Sequence, residues 1–520
     1  MVKEQAIESK VGGGVHWPAS EPGSPLSRPV VNGMANLSRR TILVTGYFSG
    51  DDQQAKLQFF ERLDALLRGR DTELLLVNLS PKRLKTRCRC ISIPYFIPYT
   101  PFFEWANLHH GAYLKEELEE AVQVEAGDLN LKEEIARLKL LYFRAFMRSV
   151  LRRERPALCI LWHQFNGLHH ALLNLLDECS IPHCFAEYGA LPGTITLDPK
   201  GQMAESHVAV EAAAFRELPI EPKTLELADR YLEMARGQKR SQRRQPSNED
   251  ALKLIDKRRG QGKLVVFMAG DYGFRSGMLP SDFPRARLHS PFFESTEDAL
   301  EELGALASKN NWHVIFKPHP LGTDPSRMPE APNNYVTVMP DANVFDCVLK
   351  SDVTVTILSQ ASYLALFQAR PVVLLGRNTL SGHGCAYELD SRDGLEDLIV
   401  KAAGAGFTTE QSEAFRLYTA QLCAHYLYAM DPDVEELFGR GPATAADYLL
   451  GMLPPRGSSE KTESEASLKG TWGTDADPEM PGRTRAAYVI LSFLSPLFRA
   501  GITVIPPQLK RTFSKSRRWF

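Results

Sequence analysis

Apolar residues in this chain come in short runs separated by polar turns. Residues 41–47, 73–79, 157–162 and 181–186 are rich in β-branched and other apolar side chains, which predicts buried strands. Between the first two, Leu57, Phe60, Leu63 and Leu67 recur at helical spacing and predict a helix over 53–67. Further helices are expected over 113–121, 131–152 and 169–179, and residues 91–105, with three prolines and many aromatics, predict a long ordered loop. The same grammar returns later: strands over 264–268, 313–316, 353–357 and 371–375, a helix opening at Ser359 and ending near Ala369, and closing helices over 410–430 and 434–451. Strand, turn, helix, strand is the pattern of a parallel α/β sheet, whose ligands sit outside the carboxyl ends of the strands.

At 520 residues the chain exceeds one core, and length predicts roughly two to three domains. Composition divides it. Residues 1–38 are Gly, Pro and Ser rich and are expected to be disordered. Two α/β domains, 39–235 and 263–453, are joined by a linker, 236–262, whose start is strongly basic (Lys239, Arg240, Arg243, Arg244). A Ser, Gly, Pro and Glu rich flexible linker follows over 454–482, then a tail over 483–520. Apolar residues make up 43%, charged residues 24%, and net charge is −2, so no global charge steers the chain to nucleic acid. Eight scattered cysteines without zinc spacing suit free thiols in a reducing cytoplasm. Neither a secretory signal nor an apolar run long enough to span a bilayer is expected.

Candidate chemistry gathers at strand ends. Lys317-Pro318-His319-Pro320 stops a strand at two prolines and presents an imidazole there. Ser359, Gln360 and Ser362 open a helix, where hydroxyls add to free backbone N–H groups, although serines serve equally as caps. Gly376, Gly382 and Gly384 suit close approach of backbone to a ligand, or simply turns. Asp271 lies in the loop after residues 264–268. In the first half, Gln164 and Asn166 follow one strand, while Glu187 and Gly189 follow the next and Asp198 opens a turn. Phosphate-loop and GxGxxG fingerprints are missing, which argues against kinase and dehydrogenase classes. The Asp-x-Asp spacings, Asp431/Asp433 and Asp475/Asp477, fall at a helix start and in the second linker, so no catalytic metal is expected.

Phe185-Ala186-Glu187-Tyr188-Gly189-Ala190-Leu191-Pro192-Gly193-Thr194, followed by Asp198-Pro199, resembles the Glu-x-Gly segment of the bacterial capsule polysaccharide synthesis family, which includes β-Kdo transferases using CMP-Kdo. Lys317-Pro318-His319-Pro320 is similar to that family's histidine-proline motif, and Ser359 through Gly384 to its donor-phosphate region. The resemblance spans residues 155–390. It implies a GT-B architecture, two doubly wound Rossmann-like domains facing a cleft, with 39–235 on the acceptor side and 263–453 binding the nucleotide-sugar. It implies that His319, Lys317 and Pro320 meet the donor phosphate with Ser359, Gln360, Ser362, the three glycines and Asp271, and that Gln164, Asn166 and Gly189 belong to the acceptor side. Glu187 becomes the main catalytic candidate and Asp198 a second, since glycosyl transfer needs a base for the acceptor hydroxyl or a carboxylate at the oxocarbenium-like centre. The family often has Asp after this Glu; here it is Tyr188, so a role borne by that Asp does not carry over. Expected partners are a CMP-linked sugar donor, with no cofactor, and a glycan or lipid-linked acceptor. A teichoic-acid-like transfer of glycerol phosphate from CDP-glycerol, or a non-catalytic role in polysaccharide assembly, fits fewer of these residues.

From Arg483 onward there are eight Lys or Arg and no Asp or Glu, around an apolar block from Tyr488 to Phe498. Such a basic amphipathic tail suits peripheral attachment to an anionic leaflet at the inner face of the cytoplasmic membrane, and equally a terminal helix docked on the body.

Overall fold

The computed structural model describes residues 39–50, 53–80, 82–93, 118–129, 131–238, 248–270, 284–319 and 329–455. The expected disordered start, the tail over 483–520, nearly all of the 454–482 linker, Asp271 and Pro320 lie outside these residues.

The first half supplies β1 (Arg40–Gly46), β2 (Thr72–Asn78), β3 (Arg89–Ser92), β4 (Leu158–Trp162), β5 (His183–Tyr188) and β6 (Thr194–Asp198). The second supplies β7 (Val265–Ala269), β8 (His313–Lys317), β9 (Val336–Val338), β10 (Val353–Thr356), β11 (Val372–Leu374) and β12 (Tyr387–Glu388). The chain then returns to the first sheet as β13 (Leu427–Ala429). The sheet orders are β13-β6-β5-β4-β1-β2-β3 and β12-β11-β10-β7-β8-β9. All pairs of the second sheet are parallel; in the first, β6 runs antiparallel to both β5 and β13. The chain is thus α/β throughout, in two mostly parallel sheets.

Alternation along each strand explains the layers. In β1 and β4, Leu43, Cys159 and Leu161 face one core with the helices Glu119–Leu129, Glu133–Glu154 and Gly167–Glu178, while Ile42, Val44, Leu158 and Ile160 face another with Phe59, Phe60 and Leu63 of the helix Gln54–Arg68. In β7, Val266 and Met268 meet Leu300 and Leu303 of the helix Thr296–Asn310; Val265 and Phe267 share a core with Tyr231, Ile255, Phe367 and Phe415. That last core also takes in Leu191 and Phe215 from the first half, and Leu427. The helix Pro442–Met452 goes further back, placing Ala445, Ala446 and Leu449 against the first sheet's core.

Several elements differ from the sequence expectation. The helix expected over 410–430 stops at Gln421, widens into a π turn over Leu422–Tyr426 and becomes β13, because completing the edge of the first sheet outweighs local helix preference. Residues 194–198, expected as loop and turn, form β6, whose Ile195 and Leu197 alternate inward. β3 ends within the segment expected as loop, the rest of which, from residue 94, lies outside the described residues. Residues 249–260, expected within the linker, form a helix capped by Asn248, whose side chain accepts from Asp250 N and Ala251 N, and they bury Ala251 and Ile255.

Candidate functional site

Each parallel sheet has one point where strand order reverses, between β1 and β4 in the first and between β7 and β10 in the second. Crevices for ligands open outside the carboxyl ends at such points. Here the two rims meet: Gln360, in the turn after β10, donates its Nε2 to the carbonyl of Tyr188 at the end of β5, 3.2 Å away. A narrow cleft beside this contact is lined by Glu187, Tyr188, Thr196 and Met203 from the first half, Leu358, Gln360 and Tyr363 from the second, and Leu422 and Tyr426 from the π turn.

Glu187 sits on β5 opposite Thr196 of β6 and is only 5% exposed. Burial pushes its carboxyl up to about 8, the charge of Asp198 adds to this, and a hydrogen bond from the Met203 backbone N–H opposes it. Met203 holds a left-handed φ of 53°, a strained conformation for a residue with a side chain. Asp198 is 1% exposed and fully engaged: Oδ1 accepts from Lys200 N at 2.8 Å and Gly201 N at 3.2 Å, and Oδ2 from His207 N at 2.9 Å and the Tyr426 hydroxyl at 2.8 Å. A carboxylate offers about four acceptor positions. Those of Asp198 are filled, which makes it the organiser of the turn after β6 and a fixed negative charge beside Glu187.

On the second rim, Gly270 N donates to Lys317 O at 2.8 Å, and a Cβ on Gly270 would lie 3.0 Å from His319 N. This close approach fixes the backbone that carries half-buried His319. Lys317 is buried, its ammonium 3.4 Å from the Pro340 carbonyl, and burial holds its pKa below the usual lysine range. The Ser359 hydroxyl accepts from Ala361 N, and fully buried Ser362 donates its hydroxyl to Ser359 O at 2.9 Å, so both shape the helix start. Gly376 packs so tightly that a Cβ would stand 2.4 Å from His289 O. Gly382 and Gly384, with φ of +80° and +71°, flank His383, which is buried, stacks on Tyr418 with ring centroids 3.9 Å apart and reaches the Val208 carbonyl through Nε2 at 3.0 Å.

The remaining first-half candidates have distinct places. Asn166 caps the helix Gly167–Glu178, accepting from His169 N at 2.9 Å, with Nδ2 2.9 Å from His169 Nδ1. Gly189 closes the hairpin between β5 and β6, its N–H donating to Thr194 O at 2.9 Å. Gln164 is fully buried, and its side-chain amide finds no partner among the described residues. The cleft therefore unites Glu187 with Gln360; Ser362, Asn166 and Lys317 belong to its frame. Sequence reading missed Met203, Tyr363 and Tyr426, and also Arg285, which crosses between the halves to Glu205 at 2.9 Å and to His170 Nε2 at 2.6 Å. No motif spacing links these segments. The alternation of Ile195 and Leu197 in β6 was the usable signal for the hairpin.

Among the described residues no group of three or more His, Cys, Asp or Glu side chains is placed to hold a metal ion, and no helix is long and apolar enough to cross a membrane. All eight cysteines are free.

Neither a family model nor a curated protein sequence matches the chain. Solved structures do. The β-Kdo 2,7 transferase KpsC of Thermosulfurimonas dismutans aligns at 16% identity and a TM-score of 0.31 over 53% of this chain and 89% of its own. CalG4, the calicheamicin glycosyltransferase, aligns at 12% and 0.32 over 81% and 99%. The UDP-GlcNAc 2-epimerase of Methanocaldococcus jannaschii aligns at 10% and 0.32 over 72% and 98%.

Proposed function

We propose that the chain is a GT-B-type glycosyltransferase of capsule or surface polysaccharide biosynthesis, moving a sugar such as Kdo from a CMP-activated donor to a glycan or lipid-linked acceptor. The observation that carries this reading is the meeting of the two carboxyl rims, with a buried carboxyl group, Glu187, on one and Gln360 from the switch-point turn of the other in the same cleft. In glycosyl transfer the acceptor hydroxyl loses a proton while positive charge grows at the anomeric carbon, and a carboxylate serves either need. Both roles require ionised Glu187, so turnover rises with pH through about 8. On the donor side, His319, the Ser359 hydroxyl and backbone N–H groups at the helix start neutralise the leaving phosphate. Residues 39–235, completed by 427–452, which return to the first sheet, form the acceptor side, and the rest of 263–453 forms the donor side.

The deciding experiment adds CMP, CDP and UDP separately to purified protein, follows thermal unfolding, then measures transfer from the stabilising nucleotide's sugar. CMP should stabilise most, and Glu187→Gln should keep that stabilisation while losing turnover. Stabilisation by none of the three, or native turnover in Glu187→Gln, overturns the reading. Attachment of residues 483–520 to the inner face of the cytoplasmic membrane belongs to the same reading, because each Lys or Arg adds about 1 kcal/mol near anionic lipid. Truncation after residue 482 should abolish sedimentation with anionic vesicles at low salt and leave transfer to a soluble acceptor intact.

A further inference from the structure

Tyr426 comes from a segment remote in sequence from both rims. It ends the π turn after the helix Thr409–Gln421, a rare geometry that recurs at functional sites. The next residue, Leu427, pairs with Thr196 of β6, and Thr196 pairs with Glu187 of β5, so the strand register sets Tyr426 beside the row that holds Glu187. Its ring is 5% exposed and held by edge contacts with Phe215 and His207, each at 6.2 Å between centroids. Its hydroxyl donates to Asp198 Oδ2 at 2.8 Å, while its side chain lines the cleft with Glu187.

We propose that Tyr426 is a positioning residue for Glu187: by holding Asp198 Oδ2 it fixes the Asp198 carboxylate beside Glu187 and compensates part of its charge. This rests on the reading of Glu187 as the reacting carboxylate. The groups that face Glu187 are Asp198 from β6, the Met203 N–H from the turn after it, Tyr426 from the π turn and Tyr363 from the helix Ala361–Phe367, with His207 packed behind Tyr426. Of the four donors on Asp198, only the Tyr426 hydroxyl comes from a side chain; those of Lys200, Gly201 and His207 are backbone N–H groups.

Loss of the hydroxyl has different consequences under the two possible roles. If Tyr426 acts through Asp198, the Asp198 charge is less compensated and repels ionised Glu187 more strongly, so Glu187 keeps its proton to a higher pH. If the ring only fills space, phenylalanine fills it equally and Glu187 titrates as in the native protein. The test uses full-length Tyr426→Phe and follows the carboxylic-acid infrared band of Glu187 against pH, the band being identified by its loss in Glu187→Gln. The expected result is persistence of the band to a higher pH than in the native protein, with the rising limb of the pH–rate profile moving the same way. Asp198→Asn, which removes the charge, should move both to lower pH. A Tyr426→Phe titration at or below the native pH overturns the positioning role and leaves the reading of Glu187 standing. Native turnover in Glu187→Gln overturns that reading itself, whichever way the band moves.

Discussion

The two rims that meet at the cleft are built from different materials. The first sheet's rim concentrates buried ionisable side chains: Glu187, Asp198, Tyr426, His169 and His170 are all nearly inaccessible. The second rim, buried Lys317 and His383 apart, relies on backbone. Gly270 and Gly376 allow contacts that a Cβ would block, and Ser359 and Ser362 spend their hydroxyls on the helix start. A buried ionisable group is costly unless partnered, and its protonation responds to every neighbour. Close-packed backbone is insensitive to pH and intolerant of volume. Under the proposed function, reactivity is tuned on the first rim and donor shape is fixed on the second.

The largest expected effect falls on the first rim. Glu187→Gln should lower transfer on the order of 10²–10⁴-fold. It should also change stability in a pH-dependent way. The native carboxyl is raised to about 8 from 4.5, so between these values the unfolded chain has released a proton that the native state retains, and native stability falls as pH rises through that window. The glutamine variant lacks this loss. Urea midpoints of both proteins from about pH 5 to about pH 9 should diverge toward alkaline pH, and parallel curves would mean that Glu187 is not held neutral. On the second rim, Gly376→Ala should destabilise by about 1–3 kcal/mol at every pH, since its Cβ would stand 2.4 Å from His289 O and 2.6 Å from Ile357 Cγ2. A neutral alanine there would break the contrast between the rims.

Much of the fold is readable because parallel strands buried on both faces leave continuous apolar runs, as in β1, β4 and β7. The strand ends bearing Glu187, His319 and Ser359 follow directly. What escapes the sequence is set by tertiary contacts. Leu427-Tyr428-Ala429 is too short to announce a strand and follows helical residues without a break; only the free edge of β6 makes it one. Tyr426 is therefore hidden within an expected helix. Asp198 illustrates the converse. As a residue type it looks catalytic, but the turn formed by Lys200 and Gly201, with His207 and Tyr426, occupies its oxygens.

A smaller effect probes the first rim's histidines. Burial lowers His169 and His170 from 6.5 to about 3, with the charges of His163 and Arg285 respectively as the next causes. Both stay neutral in the native state while the unfolded chain takes up protons below 6.5, so stability present above that pH is lost progressively as pH falls toward 3. In Glu187→Gln, which lacks the opposing contribution of that carboxyl, urea midpoints should decline from about pH 7 to about pH 5, and a flat profile would show the rings to be hydrated.

The smallest effect separates frame from contact at Asn166. Its side chain accepts from His169 N and meets His169 Nδ1, so Asn166→Ala should cost about 1 kcal/mol through the lost cap. Asn166→Ser keeps a capping oxygen but lacks the amide. If Asn166 is only frame, serine restores the urea midpoint and leaves the acceptor KM at its native value. If the amide also reaches the acceptor, serine restores stability and still raises KM, since a substrate hydrogen bond depends on reach as well as on an oxygen. Native stability with a raised KM in the serine variant would place Asn166 among the groups that touch substrate, and would extend the chemically active part of the first rim from β5 across to the end of β4.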